Sequence, residues 1–296
     1  MIVLPAEIAD AVGRGHGVPD DVVIWDGGDA SAVRKARFYV PSYMAEGWAF
    51  EVMAFMPDLE VCQLPTAGFE HALAHLPAGV TLCNAAGVHD ASTAELTVAL
   101  ILARLRNIDG MARAMTRGEF LHDRFDALAD KRVVVVGAGG VGGAIARRLL
   151  PFECDVTVVG RTARPGVLGV EDLPRLLPEY DVVVLAVPLD ESTRGMVDAE
   201  FLARMRDGAL IVNVARGAVA DTDAMLAEAG RLRFALDVTD PEPLPADHPL
   251  WRAPGVLISP HVGGNTTAFL PRIGRLVRDQ ILRWESGAPL LNVVVS

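Results

Sequence analysis

An α/β fold built on doubly wound parallel sheets is what this sequence predicts, and three observations predict it. Short β-branched runs alternate with segments of helical apolar spacing along nearly the whole chain, and strands separated by helices pair in parallel. One run, residues 133–136, passes directly into Gly137-Ala138-Gly139-Gly140-Val141-Gly142 and then into an Ala-rich segment that reads as helix to Leu150. The chain also has 28 glycines and a hydrophobic fraction of 51%, which suits packed cores joined by many short turns. Its 296 residues match about two domains.

In the first ninety residues the spacing predicts strands over 2–4, 22–25, 37–40, 59–63 and 80–83, with helices near 44–56 and 69–75. Two turns, Leu64-Pro65-Thr66-Ala67-Gly68 and Asn84-Ala85-Ala86-Gly87, follow strands. Both therefore lie at strand C-terminal ends, where open α/β sheets bind ligands, although any βα loop would look similar. His71, His75 and His89 read as surface or satisfied core residues. From Asp90 a capping-box pattern, Ser92 with Glu95, precedes a long apolar helix to about residue 108. It is read as the crossover between domains, with a surplus apolar face as a candidate subunit interface.

A looser segment, 118–130, leads into the glycine-rich strand. Strands are then expected over 155–159, 182–187, 209–214, 234–236 and 256–258, with helices near 198–205 and 221–229. The last helical segment, 270–284, stops at Gly287 and is long enough to return to the first domain. The expected domains are 1–90 completed by 271–296, and 91–270.

Each glycine of the central turn has a physical task. Gly137 permits the reversal, Gly139 lets backbone approach a pyrophosphate, and Gly142 lets the helix lie close to its strand. The helix N-terminus offers free N–H groups to phosphate. About 20 residues beyond such a turn an NAD-binding unit places an acid on the ribose. Here the second strand ends in Gly160-Arg161-Thr162-Ala163-Arg164, with no acid at the tip. Arg161 and Arg164 suit a 2′-phosphate, so the expected cofactor is NADP, with NADPH preferred over NADH.

Formal charge is −11, from 27 basic and 38 acidic residues, with no long basic block. Nucleic acid and anionic membrane surfaces are thereby disfavoured as partners. Cys62, Cys83 and Cys154 show no CxxC spacing and read as buried small hydrophobes in a reducing compartment, without zinc or disulfide. No signal peptide is legible, and no apolar run reaches the ~18 residues of a membrane span. The expectation is a soluble, cytoplasmic protein without a metal.

Three positions in the second half stand at strand C-terminal ends: Arg216 in Asn213-Val214-Ala215-Arg216-Gly217, Glu242 in Asp237-Val238-Thr239-Asp240-Pro241-Glu242-Pro243, and His261 after Ser259-Pro260. Hydride transfer to a ketone needs a cation to orient a carboxylate, a proton donor beside the carbonyl oxygen, and a group to hold that donor. Arg216 can be the clamp, His261 the proton donor, and Glu242 the group that orients the imidazole and favours its charged form. Taken singly, each could instead be a loop or core residue.

The motifs GAGGVG, LAVPLDESTRGMV, GALIVNVARGAVAD, ALDVTDPEPLP and ISPHVGGNT resemble, in order and spacing, those of the D-isomer-specific 2-hydroxyacid dehydrogenases. LEVCQLPTAGFEH and NAAGVHDASTAEL extend the resemblance to the first domain. It implies two Rossmann-like domains with a cleft between them, a homodimer formed through the dinucleotide-binding domain, and Arg216, Glu242 and His261 as catalytic residues. It further implies Asp237 on the nicotinamide amide, Gly140 and Val141 amides on the pyrophosphate, and Ala67 and Gly68 amides on the substrate carboxylate. Val187, Pro188, Val214, Ala215 and Gly263 complete the expected cofactor contacts. Gly160-Arg161, in place of the commoner acid, is similar to the pattern of NADPH-using glyoxylate and hydroxypyruvate reductases. Gly140 stands where Arg is frequent and Thr239 where an aromatic is frequent, while Glu242 argues against formate. The expected reaction is reduction of a small 2-oxoacid. The alternatives are oxidation of another anion such as phosphite, for which the 64–68 loop offers no Lys or Arg, or a non-enzymatic dinucleotide sensor.

Overall fold

The computed structural model describes residues 1–13, 21–45 and 47–296. The chain divides into two compact units, Met1–His89 with Thr266–Ser296, and Asp90–Asn265.

The first unit holds β1 (Ile2–Leu4), β2 (Val22–Ile24), β3 (Phe38–Tyr39), β4 (Val61–Gln63) and β5 (Thr81–Cys83). They pair in parallel in the order β5-β4-β3-β1-β2, and the C-terminal strand Val293–Val295 adds antiparallel to the β5 edge. The sheet is therefore mixed, with a 2-1-3-4-5 order of its parallel strands, one of the two common doubly wound arrangements. One apolar cluster, including Val3, Tyr39, Cys62 and Leu82, packs one face, and another, including Ile2, Leu4, Phe38 and Cys83, packs the other. Adjacent residues of one strand go to opposite clusters, as the two-residue repeat of a strand requires.

The last helix, Phe269–Ser286, does return to this unit. Gly274 makes the approach possible, since a Cβ there would stand 2.5 Å from the Ala11 carbonyl oxygen on the helix Ala6–Val12. Arg278 donates to the Val12 carbonyl. The fully buried Gln280 donates to Gln63 Oε1 at 2.7 Å and to the Leu291 carbonyl at 2.9 Å, and accepts from Leu291 N. That amide exchange brings the tail to the sheet edge, where Asn84 N donates to the Asn292 carbonyl. The helix expected near 44–56 is shorter, Trp48–Glu51 continued by a 3-10 turn Val52–Phe55, and Glu46 lies outside the described residues.

The second unit holds β6 (Arg132–Val136), β7 (Asp155–Gly160), β8 (Leu168–Gly169), β9 (Val182–Leu185), β10 (Leu210–Asn213), β11 (Arg233–Leu236) and β12 (Val256–Ile258). All pair in parallel, in the order β12-β11-β10-β9-β6-β7-β8. Strand order reverses between β6 and β9, which makes that junction the topological switch point where such sheets bind ligands. Val134 and Val136 enter the core on one face and Val133 and Val135 the core on the other.

Three expectations need correction here. The crossover helix spans Asp90–Leu105 and stops short of 108, because Asn107 adopts a left-handed conformation (φ 52°) and a separate helix, Ile108–Met115, begins. Ser92 lies inside the first turn of that helix and is buried, so it is not the N-cap of a capping box. Cys62 and Cys83 are buried, whereas Cys154 is half-buried and its thiol donates to the Leu149 carbonyl. Burial pushes the Cys83 thiol up to about 11 and raises Cys62 further, so both stay protonated. Among the described residues no helix is long and apolar enough to cross a membrane.

Candidate active site

The glycine-rich turn follows β6 at the switch point, with Gly137 N donating to the Val159 carbonyl and Ala186 N to the Val136 carbonyl. Gly137 has φ 121°, and a Cβ on it would stand 2.2 Å from the Ala186 oxygen. A Cβ on Gly142 would stand 1.7 Å from the Gly137 oxygen. No side chain fits at either place. Gly139 is different: nothing lies within 4 Å of where its Cβ would be. That leaves an open cradle in front of the helix Gly140–Leu149, whose ladder opens with Gly143 N on the Gly139 oxygen. The amides of Gly140, Val141 and Gly142 precede that first bond, at the helix N-terminus where an anion is received. The residues present thus fit a dinucleotide pyrophosphate. At Gly140 a larger side chain would meet the Asp90 carboxylate, 2.2 Å from the Cβ position.

At the tip of β7 the two arginines differ. Arg164 donates to the Ala138 carbonyl of the glycine turn at 2.9 Å. Arg161 donates to Asp190 Oδ2 at 2.5 Å, and Asp190 belongs to the loop after β9 that also carries Val187 and Pro188. An acid therefore does stand beside Arg161 at the tip of β7, supplied by a different loop. Thr162 lies between the arginines and is exposed.

Arg216 follows β10 on a loop shaped by buried Asn213, which accepts from Ala215 N and donates to the Arg216 carbonyl. A Cβ on Gly217 would stand 1.9 Å from the Thr239 oxygen, so the loops after β10 and β11 are packed backbone to backbone. The Arg216 guanidinium donates to the Ala215 carbonyl at 2.7 Å. In the loop after β11, Thr239 donates through its hydroxyl to the Pro241 carbonyl and through its amide to Glu242 Oε2.

His261 sits in the loop after β12 with φ 52°, a conformation rare for a residue of its size. Asp237, buried at the end of β11, imposes it. Its Oδ1 accepts from Ser259 Oγ at 2.6 Å and from Val262 N at 3.0 Å, and its Oδ2 accepts from Gly263 N at 2.9 Å. His261 N donates to the Asp237 carbonyl at 2.8 Å. Held this way, His261 Nδ1 lies 2.5 Å from Glu242 Oε1. The carboxylate assigns the proton to Nδ1 and leaves Nε2 directed away from Glu242. Burial pushes the Glu242 carboxyl up, but the hydrogen bond and charge of His261, the Thr239 amide and the Arg216 charge outweigh it, and the net shift is downward. Glu242 is thus an ionised carboxylate beside a half-exposed imidazole.

The structure brings together Arg216, Glu242 and His261 on three successive loops. It also shows positioning residues the sequence reading missed: Asn213, Thr239 and Ser259. The signal is faint: Asn213 and Ser259 are polar residues at or just past the end of an apolar strand, and Thr239 lies in the loop after β11. Asp237, expected on the nicotinamide, is first of all the carboxylate that folds the His261 loop.

Within the first unit, Asn84 Nδ2 donates to the Ala67 carbonyl and Thr66 Oγ1 to the Gly68 carbonyl, while His89 Nε2 lies 3.0 Å from the Pro65 oxygen. Every carbonyl of that loop turn is engaged from behind. Among the described residues the Ala67 and Gly68 amides have no partner.

The profile of the D-isomer specific 2-hydroxyacid dehydrogenase, NAD binding domain, matches residues 98–263, more than half the chain. This chain belongs to the D-isomer-specific 2-hydroxyacid dehydrogenases. Among relatives of the dehydrogenase, the mitochondrial formate dehydrogenase of Hordeum vulgare is 35% identical over 253 residues, covering 78% of this chain and 67% of its own length. The glyoxylate reductase of Thermofilum pendens is 32% identical over 266 residues, covering 82% and 77%. The D-isomer specific 2-hydroxyacid dehydrogenase of Xanthobacter autotrophicus Py2, solved in complex with NADPH and MES, superposes with a TM-score of 0.82 at 29% identity, covering 99% of this chain and 97% of that one.

Proposed function

We propose that the chain is an NADPH-preferring reductase of small 2-oxoacids, with glyoxylate and hydroxypyruvate as leading substrates. The single observation that carries this reading is the Glu242–His261 pair, 2.5 Å apart at the ends of β11 and β12, with Arg216 on the neighbouring loop. A reduced nicotinamide, when bound, supplies the hydride. Arg216 holds the carboxylate and draws charge onto the carbonyl oxygen. His261 delivers the proton from Nε2 as the alcohol forms, and Glu242 balances the charge of the imidazolium.

Formate oxidation makes a weaker reading despite the formate dehydrogenase relatives. That reaction passes a hydride and releases carbon dioxide, with no oxygen to protonate. An ionised carboxylate behind a histidine serves a step that needs a proton, which ketone reduction does. The NADPH preference is supported by Arg161 and Arg164 at the β7 tip, where the strand itself ends without an acid. We further propose a cytoplasmic homodimer, supported by the free thiols of Cys62, Cys83 and Cys154 and by the exposed apolar side chains Ile108, Met115, Phe120 and Leu121 after the crossover helix.

The test is oxidation of NADPH and NADH with glyoxylate, hydroxypyruvate, pyruvate and phenylpyruvate. Turnover of glyoxylate or hydroxypyruvate, faster with NADPH, is expected. Cofactor binding with no turnover on any oxoacid would point instead to a sensor, and equal efficiency with both cofactors would remove the NADPH preference.

A further inference from the structure

We propose that Asp190 sets the balance between NADPH and NADH by competing with a 2′-phosphate for the Arg161 guanidinium. The inference rests on the reading that Arg161 faces the adenosine ribose, its place at the first position past the second strand of a dinucleotide-binding unit. Arg161 and Asp190 are 29 residues apart in sequence, and their side chains meet at 2.5 Å.

The two partners are not equally mobile. Asp190 Oδ1 accepts from Ser192 N at 2.9 Å and Ser192 Oγ at 2.6 Å, and Asp190 N donates to Thr193 Oγ1 at 2.8 Å. Buried Thr193 in turn donates to the Pro188 carbonyl at 2.6 Å. The carboxylate is thus anchored through its own loop, leaving Oδ2 to act outward. The Arg161 side chain is 71% exposed, with Asp190 as its ion-pair partner. Arg164 is already committed to the Ala138 carbonyl in the glycine turn. Arg161 is therefore the contested cation.

Two consequences follow from charge. A 2′-phosphate binding Arg161 must share the guanidinium with Asp190 or displace it, and two anions on one cation repel. A ribose 2′-hydroxyl has no such conflict and can donate to the same carboxylate. Asp190 accordingly moderates a preference for NADPH that the arginines alone would make stronger.

The test is calorimetric binding of NADPH, NADH and 2′,5′-ADP to the wild type, Asp190→Asn, Arg161→Ala and the double variant. Asparagine keeps the Oδ1 acceptor for Ser192 and removes the charge. Asp190→Ser, a second neutral turn former, guards against an effect peculiar to asparagine. With either neutral variant, Kd for NADPH and 2′,5′-ADP should fall about threefold, the size of an exposed charge pair, while Kd for NADH does not fall. In the Arg161→Ala background the same change should do nothing. An unchanged or raised NADPH Kd in the neutral variants, or an equal fall without Arg161, overturns the proposal. If Arg161→Ala alone leaves NADPH binding unchanged, the assignment of Arg161 to the ribose fails and takes this inference with it.

Discussion

Glu242 shows how a single residue is given its task by its surroundings. Its carboxyl is held below the usual carboxylate range although burial opposes that, because His261, the Thr239 amide and Arg216 all favour the charged form. A carboxyl whose folded-state pKa is depressed adds stability that is present above its unfolded value, about 4.3 for Glu, and is lost as pH falls through the folded value. Glu242→Gln should therefore lower the urea midpoint at neutral pH, with the difference from wild type closing as the pH drops below about 4. The same variant should lower kcat by about 10- to 100-fold, because glutamine can hold the imidazole but cannot balance its charge. A difference that persists unchanged at acid pH would mean that Glu242 acts by shape alone.

The placement of Arg216, Glu242 and His261 is legible because each sits in a short stretch after an apolar strand, so sequence order puts it at the C-terminal edge of the sheet. The Arg161–Asp190 pair was not legible in the same way. Its partners lie on separate loops that only the order β9-β6-β7 brings together.

At the scale of elements, the strand-turn-helix around Gly137 offers a controlled comparison. Gly142→Ala puts a methyl 1.7 Å from the Gly137 oxygen, so helix and strand must separate, at a cost of about 1–3 kcal/mol. Gly139→Ala meets nothing within 4 Å and keeps an ordinary extended conformation. Thermal melts should show a lowered Tm for the first variant and little change for the second. NADPH titration should show weakened binding in both, because Gly139 faces the proposed pyrophosphate position. Full affinity in Gly139→Ala would place the cofactor elsewhere.

Element boundaries were read less well than element types. The strands over 2–4 and 256–258 agree with the reading, since β-branched runs bounded by turn residues leave little freedom. The crossover helix was read too long because apolar spacing continues past Leu105, while the break depends on a left-handed Asn107. The terminal strand Val293–Val295 and the two-residue β8 were missed. Neither has periodicity of its own, and each exists through its neighbours β5 and β7.

For the whole molecule, the sequence carried the fold class and the return of the last helix, but not what fixes that return. Gln280 and Gln63, polar residues at core positions 217 apart in sequence, exchange a buried hydrogen bond that no local pattern announces. Association belongs to this scale as well. Phe120 is 93% and Met115 75% exposed, an unusual cost for large apolar side chains unless a second copy covers them. Light scattering should give twice the 31.5 kDa chain mass, and Met115→Ser with Phe120→Ser should shift it towards the monomer. A monomer for the wild type would contradict the proposed dimer.

If His261 delivers the proton, the rest of the site binds cofactor without it. The most direct measurement is turnover and NADPH affinity of His261→Ala with a 2-oxoacid that the wild type reduces. A fall in kcat of about 10²- to 10⁴-fold is expected, with the NADPH Kd within about twofold of wild type. Near-normal turnover in that variant would contradict it.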